Sequence, residues 1–88
     1  MRISTRGRYA LRMMLDIARY GGDGTPVSLS SISDRTEISH GYLEQLAPAL
    51  RAARLVKSVA GRHGGYRLSL PASKTTIRMI IEASIGPV

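Results

Sequence analysis

The side chains that could support catalysis or hold a metal ion are few in this 88-residue sequence. It has no cysteine, two histidines and six acidic residues. His40 and His63 lie far apart in sequence, with no cluster of Asp, Glu or His near either. The sequence contains no pairing of a nucleophile with a base and no spacing of side chains that is typical of metal ligands. We therefore expect no enzymatic activity and no metal site, and we interpret both histidines as surface residues.

Glu44 and Gln45 have the chemistry to read base pairs. A glutamate can accept a hydrogen bond from the cytosine amino group, and a glutamine can pair with adenine in the major groove. His40 and Gly41 are predicted to share their outward face of a helix and to belong to the same base-reading set. The alternative, that these are solvated residues on an exposed helix face, remains open.

A glycine-rich stretch, Gly61-Arg62-His63-Gly64-Gly65, is predicted to form the tip of a hairpin. Glycines let a backbone approach a duplex closely, and the planar guanidinium of Arg62 suits a narrow minor groove. We expect this tip to contact a groove or a phosphate. The alternative is a flexible tip that contacts nothing.

Three arginines, Arg2, Arg6 and Arg8, cluster around the predicted start of the first helix. The free N–H groups of a helix start, together with cations, favour a phosphate site. A solvated face is the alternative. We also place Ser28 among the phosphate contacts. Tyr42 has two open interpretations, packing on the core or reaching a phosphate with its hydroxyl.

The net charge of +7 is concentrated in parts of the chain. Residues 1–20 carry +4, residues 21–40 carry −2, residues 41–60 carry +2 and residues 61–88 carry +3. A basic balance indicates a polyanionic partner, either nucleic acid or a membrane surface. The stretch from Tyr9 to Ala18 is too short and charged to be a signal peptide or membrane span, so we expect a cytoplasmic protein. A transit peptide is disfavoured because helical periodicity places this segment in the fold.

Helical periodicity predicts a first helix that begins at Ser4 or Thr5 and ends in the turn of residues 21–26. Its apolar arc is wide, which predicts cover on more than one side, by its own domain and by a second subunit. The arc consists of Ala10, Met13, Met14 and Ile17 on one face and Leu11, Leu15 and Ala18 on another, opposite a polar stripe of Arg8, Arg12, Asp16 and Arg19.

A helix-turn-helix follows. Ser28 or Ser30 is predicted to start a short helix that carries Leu29 and Ile32 inward and ends near Thr36. Residues 37–39 form the turn, and Ser39 caps the second helix. The buried row of that helix is Leu43, Leu46 and Leu50. Pro48 is expected to bend or loosen it.

From Leu55 the apolar period changes to two, which predicts strands over residues 55–60 and through Tyr66, Leu68 and Leu70. Tyr66 is therefore expected in the core. Residues 71–74 close the hairpin. A last helix begins at Thr75 or Thr76 and stops at Gly86-Pro87, with one face formed by Ile77, Ile80, Ile81 and Ile85. The predicted fold is mainly α with a small β-hairpin, a single winged helix-turn-helix domain over residues 1–88.

Four stretches of this sequence resemble one family. They are MRISTRGRYALRMMLD (1–16), ISHGYLEQL (38–46), LVKSV (55–59) and GRHGGY (61–66). In this order they resemble the IscR/NsrR/CymR-type transcription regulators of the Rrf-two superfamily, over nearly the whole chain. The resemblance implies a homodimeric bacterial repressor or activator that binds a roughly palindromic operator in double-stranded DNA.

By position, the resemblance implies base reading by Gly41, Glu44 and Gln45 and minor-groove entry by the wing, Gly61–Gly65. It also implies that the start of the first helix faces phosphate, through Ser4, Thr5, Arg6 and Tyr9.

Three departures from the family are visible. Ala60 stands where the family usually has arginine, and Arg62 is expected to take over its role. Arg54 stands where many members have glycine, which costs up to about 1 kcal/mol if that position needs positive φ. The resemblance also implies an iron–sulfur cluster held by cysteines beyond the last helix and a long dimerisation helix, and these 88 residues contain neither.

We therefore expect no cofactor in this chain and no small-molecule substrate. Two other classes of function remain open. One is a basic module that binds nucleic acid without sequence preference, and the other is a dimerisation or protein-interaction module.

Overall fold

The computed structural model describes residues 3–85. The chain forms four α-helices and one two-stranded sheet in the order α1 Thr5–Tyr20, α2 Leu29–Thr36, α3 His40–Ala52, β1 Val56–Val59, β2 Gly65–Leu68 and α4 Ile77–Ile85, with a short 3-10 turn, Ala72–Lys74, before α4. This order confirms the predicted mainly α fold with a small hairpin. The predicted end of the last helix at Gly86-Pro87 lies outside the described residues.

Serine side chains cap the N-terminal ends of the first three helices. Ser4, Ser28 and Ser39 each accept a hydrogen bond from the backbone N–H three residues later, in every case at 3.1 Å. A cap of this kind satisfies one of the N–H groups that a helix start leaves without a partner. Because the cap needs only residues that are close in sequence, the sequence predicted all three starts to within a residue.

The buried row of α3 is the one predicted from the sequence. Leu43, Leu46 and Leu50 are fully buried. The helix continues through Pro48 as one element to Ala52, so the proline does not divide it. A proline there has no N–H to donate to the carbonyl of Glu44, so one hydrogen bond is missing inside the helix.

The hairpin is antiparallel, with Val56 opposite Leu68 and Val59 opposite Gly65. Val27 adds an isolated bridge to its outer edge by exchanging two backbone hydrogen bonds with Tyr66, at 2.8 and 2.9 Å. Gly65 is required here, because a Cβ atom on it would lie 2.3 Å from the carbonyl oxygen of Val27. The bridge ties the wing to the start of α2.

Two predictions about the hairpin and α4 were wrong in part. The second strand ends at Leu68, which leaves Leu70 exposed. The isoleucines of α4 do not form one buried face, because the helix packs on α1 and α3 through Ile80, Ala83 and Ser84. Ile77 and Ile85 are 63% and 67% exposed. Tyr66, as expected, packs against the core.

Candidate nucleic-acid interface

The outward face of α3 carries four exposed residues, His40, Gly41, Glu44 and Gln45. They lie on the first two turns, where the leucine row on the opposite side fixes the helix against the core. Gly41 has no atom within 4 Å of the position that a Cβ would take and no positive φ. The fold therefore does not require glycine at this position.

His40 and Glu44 interact on this face. The imidazole Nδ1 lies 2.8 Å from a carboxylate oxygen of Glu44, one helical turn further along. Both side chains are about half exposed, at 49% and 60%. The carboxylate expected to read a base is therefore held by its neighbour.

The start of α1 lies beside the start of α3. The rings of Tyr9 and Tyr42 meet edge to face, with centroids 5.2 Å apart. Both tyrosines are half-buried and pack against the core. Tyr42 thus has the core contact that was one of its two predicted roles, and the tyrosine pair brings the cationic helix start next to the polar face of α3.

The residues predicted to bind phosphate at the start of α1 differ in their surroundings. Ser4, Thr5 and Arg8 are exposed, and a guanidinium nitrogen of Arg8 lies 3.3 Å from the Thr5 hydroxyl. Arg6 is half-buried, and its Nε donates to the backbone carbonyl of Ser84 at 2.5 Å. That carbonyl belongs to the last turn of α4, where a cation is favoured by the helix dipole. Arg2 lies outside the described residues.

The wing tip lies opposite the start of α2. Arg62 and His63 are exposed, and the tip is closed by a hydrogen bond from the Gly64 N–H to the Gly61 carbonyl at 3.0 Å. Together with Ser28 they line an open groove of about 520 Å³. The Ser28 hydroxyl accepts a hydrogen bond from the Ser31 N–H. The N–H groups of the first turn that this cap does not satisfy belong to the residues between Ser28 and Ser31.

An ion pair joins α1 to the helix-turn-helix. Asp16 is 8% exposed and accepts two hydrogen bonds from Arg35, at 2.8 and 2.7 Å. These bonds raise the pKa of Arg35. Its guanidinium also stacks 4.0 Å from the ring centroid of Tyr20. The prediction that Asp16 lies on a polar outer stripe of α1 was therefore wrong, because a partner 19 residues away in sequence buries it.

A second link also joins α1 to α2, with the donor now on α1. Arg12 donates from its guanidinium to the carbonyl of Thr36, the last residue of α2. The two contacts fix the helix-turn-helix against α1. They were not found from the sequence, although Asp16 offered a signal as the only acidic residue among the first twenty.

No helix among the described residues is both long and apolar enough to cross a membrane. The helix-turn-helix, the outward polar face of its second helix and the glycine-rich hairpin define a winged helix-turn-helix protein. A family model named Rrf2, described as iron-dependent transcriptional regulator, matches residues 3–88. The chain belongs to this Rrf2 family.

Named relatives agree with this assignment. The chain is 51% identical over 83 residues to the HTH-type transcriptional regulator IscR of Photobacterium profundum, covering 94% of this chain and 48% of that protein. It is 46% identical over 88 residues to the HTH-type transcriptional regulator CymR of Bacillus subtilis, covering 100% of this chain and 63% of that protein. The chain thus spans about half to two thirds of the length of these relatives.

Solved structures of similar proteins have the same fold. The structure of CymR, described as the global cysteine regulator of B. subtilis, matches with a TM-score of 0.90 and 45% identity, over 99% of this chain and 67% of that one. The structure of IscR from T. potens matches with a TM-score of 0.85 and 44% identity, over 94% of this chain and 60% of that one.

The residues of this chain do not fit an iron site of the kind that the family description implies. The sequence has no cysteine. Within residues 3–85, no three side chains of His, Cys, Asp or Glu come together in a way that could hold a metal ion.

Proposed function

We propose that this chain is a sequence-specific DNA-binding module of a transcription regulator that acts in the cytoplasm. The observation that carries the proposal is the exposed polar face of α3, fixed from behind by buried leucines and set beside the cationic start of α1. A face that carries a carboxylate is poorly suited to general attraction to phosphate, whereas it suits base edges in the major groove.

Binding would combine three contacts with duplex DNA. The start of α1 would anchor a phosphate through Arg8, Thr5 and its free N–H groups. Glu44 and Gln45 would read base edges in the major groove. The wing would place Arg62 in or beside the minor groove, which the glycines on either side of the tip allow.

The tyrosine pair supports the first two contacts acting together. Because Tyr9 and Tyr42 pack against each other, this contact would hold the proposed phosphate anchor and the proposed reading helix in a fixed relative position. The ion pair of Asp16 with Arg35 adds a similar restraint between α1 and α2. Preorganisation of this kind lowers the cost of ordering the interface when DNA binds.

We also propose that the chain binds DNA as a homodimer. An apolar groove is lined by Leu11, Leu15, Leu68, Ile77 and Ile80. Leu15 and Ile77 are 67% and 63% exposed there, which is unusual for large apolar residues that lie side by side. In a dimer of this class the two reading helices lie about 34–36 Å apart, one turn of DNA, or a multiple of that distance.

Selection from a library of duplexes with a randomised central segment tests the proposal. We expect an enriched, roughly palindromic sequence and a molecular mass in solution that corresponds to a dimer on the selected duplex. Binding without any enriched sequence would instead indicate a non-specific nucleic-acid-binding module. Self-association that is independent of salt, without affinity for DNA, would indicate a dimerisation module.

A further inference from the structure

Among the described residues, His40 and Glu44 form the one close contact between a side-chain nitrogen and a carboxylate on the outward face of α3. Exposed pairs of this kind contribute little to stability. Here the imidazole Nδ1 lies 2.8 Å from a carboxylate oxygen of Glu44, which is a direct contact between the two side chains. The effect of the contact is therefore on where the carboxylate lies rather than on whether the helix forms.

A free glutamate side chain samples many rotamers and loses that freedom when it binds a base. On an exposed helix face this ordering cost arises only when the correct base is present. A neighbour that already holds the carboxylate in place reduces this cost. One oxygen of Glu44 is engaged by His40, which leaves the other free to accept from a base edge.

We infer that His40 is a positioning residue for base reading, which holds the Glu44 carboxylate so that it accepts a hydrogen bond from the exocyclic amino group of cytosine. This inference rests on the proposed function, since it assigns a role within the same interface. It gives His40 an indirect role in specificity, exerted through Glu44.

The size of the effect follows from the ordering cost. Immobilising one flexible side chain at an interface corresponds to a change of about two- to tenfold in affinity. The loss applies to the duplex with the correct base and not to a duplex in which Glu44 has nothing to bind. Removal of His40 should therefore reduce discrimination at one base pair by about two- to tenfold.

The experiment begins with selection on the randomised duplex library, using the 88-residue wild-type chain and Glu44→Ala. The base pair whose preference Glu44→Ala loses is the one that Glu44 reads. Affinities are then measured on the selected duplex and on a duplex with that single base pair exchanged. We expect His40→Ala to weaken only the first, and His40→Asn to restore it, because the amide nitrogen of asparagine lies where the imidazole Nδ1 does.

Two controls isolate the pair. Arg78→Ala removes a pair with the same spacing and the same 2.8 Å distance on α4, outside the proposed interface, and should leave discrimination unchanged. The double variant His40→Ala with Glu44→Ala should discriminate no less than Glu44→Ala alone, because His40 acts through Glu44.

Unchanged discrimination in His40→Ala, or an equal loss on both duplexes, would overturn the inference while leaving the proposed function intact. The absence of any enriched sequence for the wild-type chain would overturn both. Loss of preference in His40→Ala that His40→Asn does not restore would also contradict a positioning role.

Discussion

Arg54 lies in a backbone conformation that suits glycine, and its replacement gives a direct measure of the local strain. Its φ angle is +62°. It follows Ala53, the C-cap residue of α3. The N–H of Arg54 donates to the carbonyl of Arg51 at 2.9 Å, and the N–H of Leu55 donates to the carbonyl of Leu50 at 3.0 Å. These two bonds form the Schellman motif, in which the residue at Arg54 is usually glycine.

The expected gain for Arg54→Gly follows from two opposing terms. A residue with a Cβ in the left-handed region costs roughly 1–2 kcal/mol. Glycine gives back about 0.4–1 kcal/mol through the greater freedom of the unfolded chain. The free energy of unfolding should therefore rise by about 0.5–1 kcal/mol. For a domain of this size that corresponds to an increase in Tm of about 2–8 °C.

The assay is thermal unfolding followed by circular dichroism, with a urea titration for the free energy. Arg54→Ala is the matched control, because it removes the same exposed cation and keeps the Cβ. We expect Arg54→Ala to match the wild type closely and Arg54→Gly to be more stable than both. The comparison separates the backbone effect from any effect of charge on stability or on DNA binding.

Equal stability of the glycine and alanine variants would refute the reasoning. It would mean that the positive φ carries no net cost at this position. A lower stability of the glycine variant would show that unfolded-state entropy outweighs the strain. Either result would contradict the expectation that relief of the strain at Arg54 gives a net gain in stability.

Three further changes test other parts of the structure. Asp16→Asn should lower the free energy of unfolding by about 2 kcal/mol, less than for a fully buried pair because Arg35 is partly exposed; an unchanged urea midpoint would contradict this. Arg62→Ala should weaken DNA binding and reduce the slope of log affinity against log salt concentration by about 1. An unchanged slope and affinity would indicate that the wing tip does not contact DNA. Leu15→Glu should convert a dimer on DNA into a monomer, seen by analytical ultracentrifugation, with unfolding within about 0.5 kcal/mol of the wild type; a dimer that persists would exclude this groove as the interface.

The parts of the fold that depend on neighbouring residues in sequence could be predicted from the chain. Helix starts follow from serine caps such as Ser39, which act over three residues. The buried row of α3 follows from helical periodicity. The exposure of Glu44 and Gln45 follows from the same pattern, read on the opposite face.

The candidate site was less predictable wherever a contact joins distant residues. The bond from Arg6 to Ser84 joins residues 78 positions apart, and no local pattern marks it. The bridge of Val27 with Tyr66 joins residues from two separate segments of the chain. For α4, periodicity grouped its isoleucines, but the packing partners decided which of them are buried.

The sequence by itself determined the order of the helices and strands, the family and the chemistry of the outward face of α3. Caps, apolar periods and motif spacing are local properties, so they can be read from the chain. Only the tertiary structure decided that Asp16 is buried against Arg35 and that Arg54 has positive φ. It also brought the start of α1 next to that of α3 through Tyr9 and Tyr42. These features depend on which surfaces meet when the helices pack, and sequence patterns do not encode that choice locally.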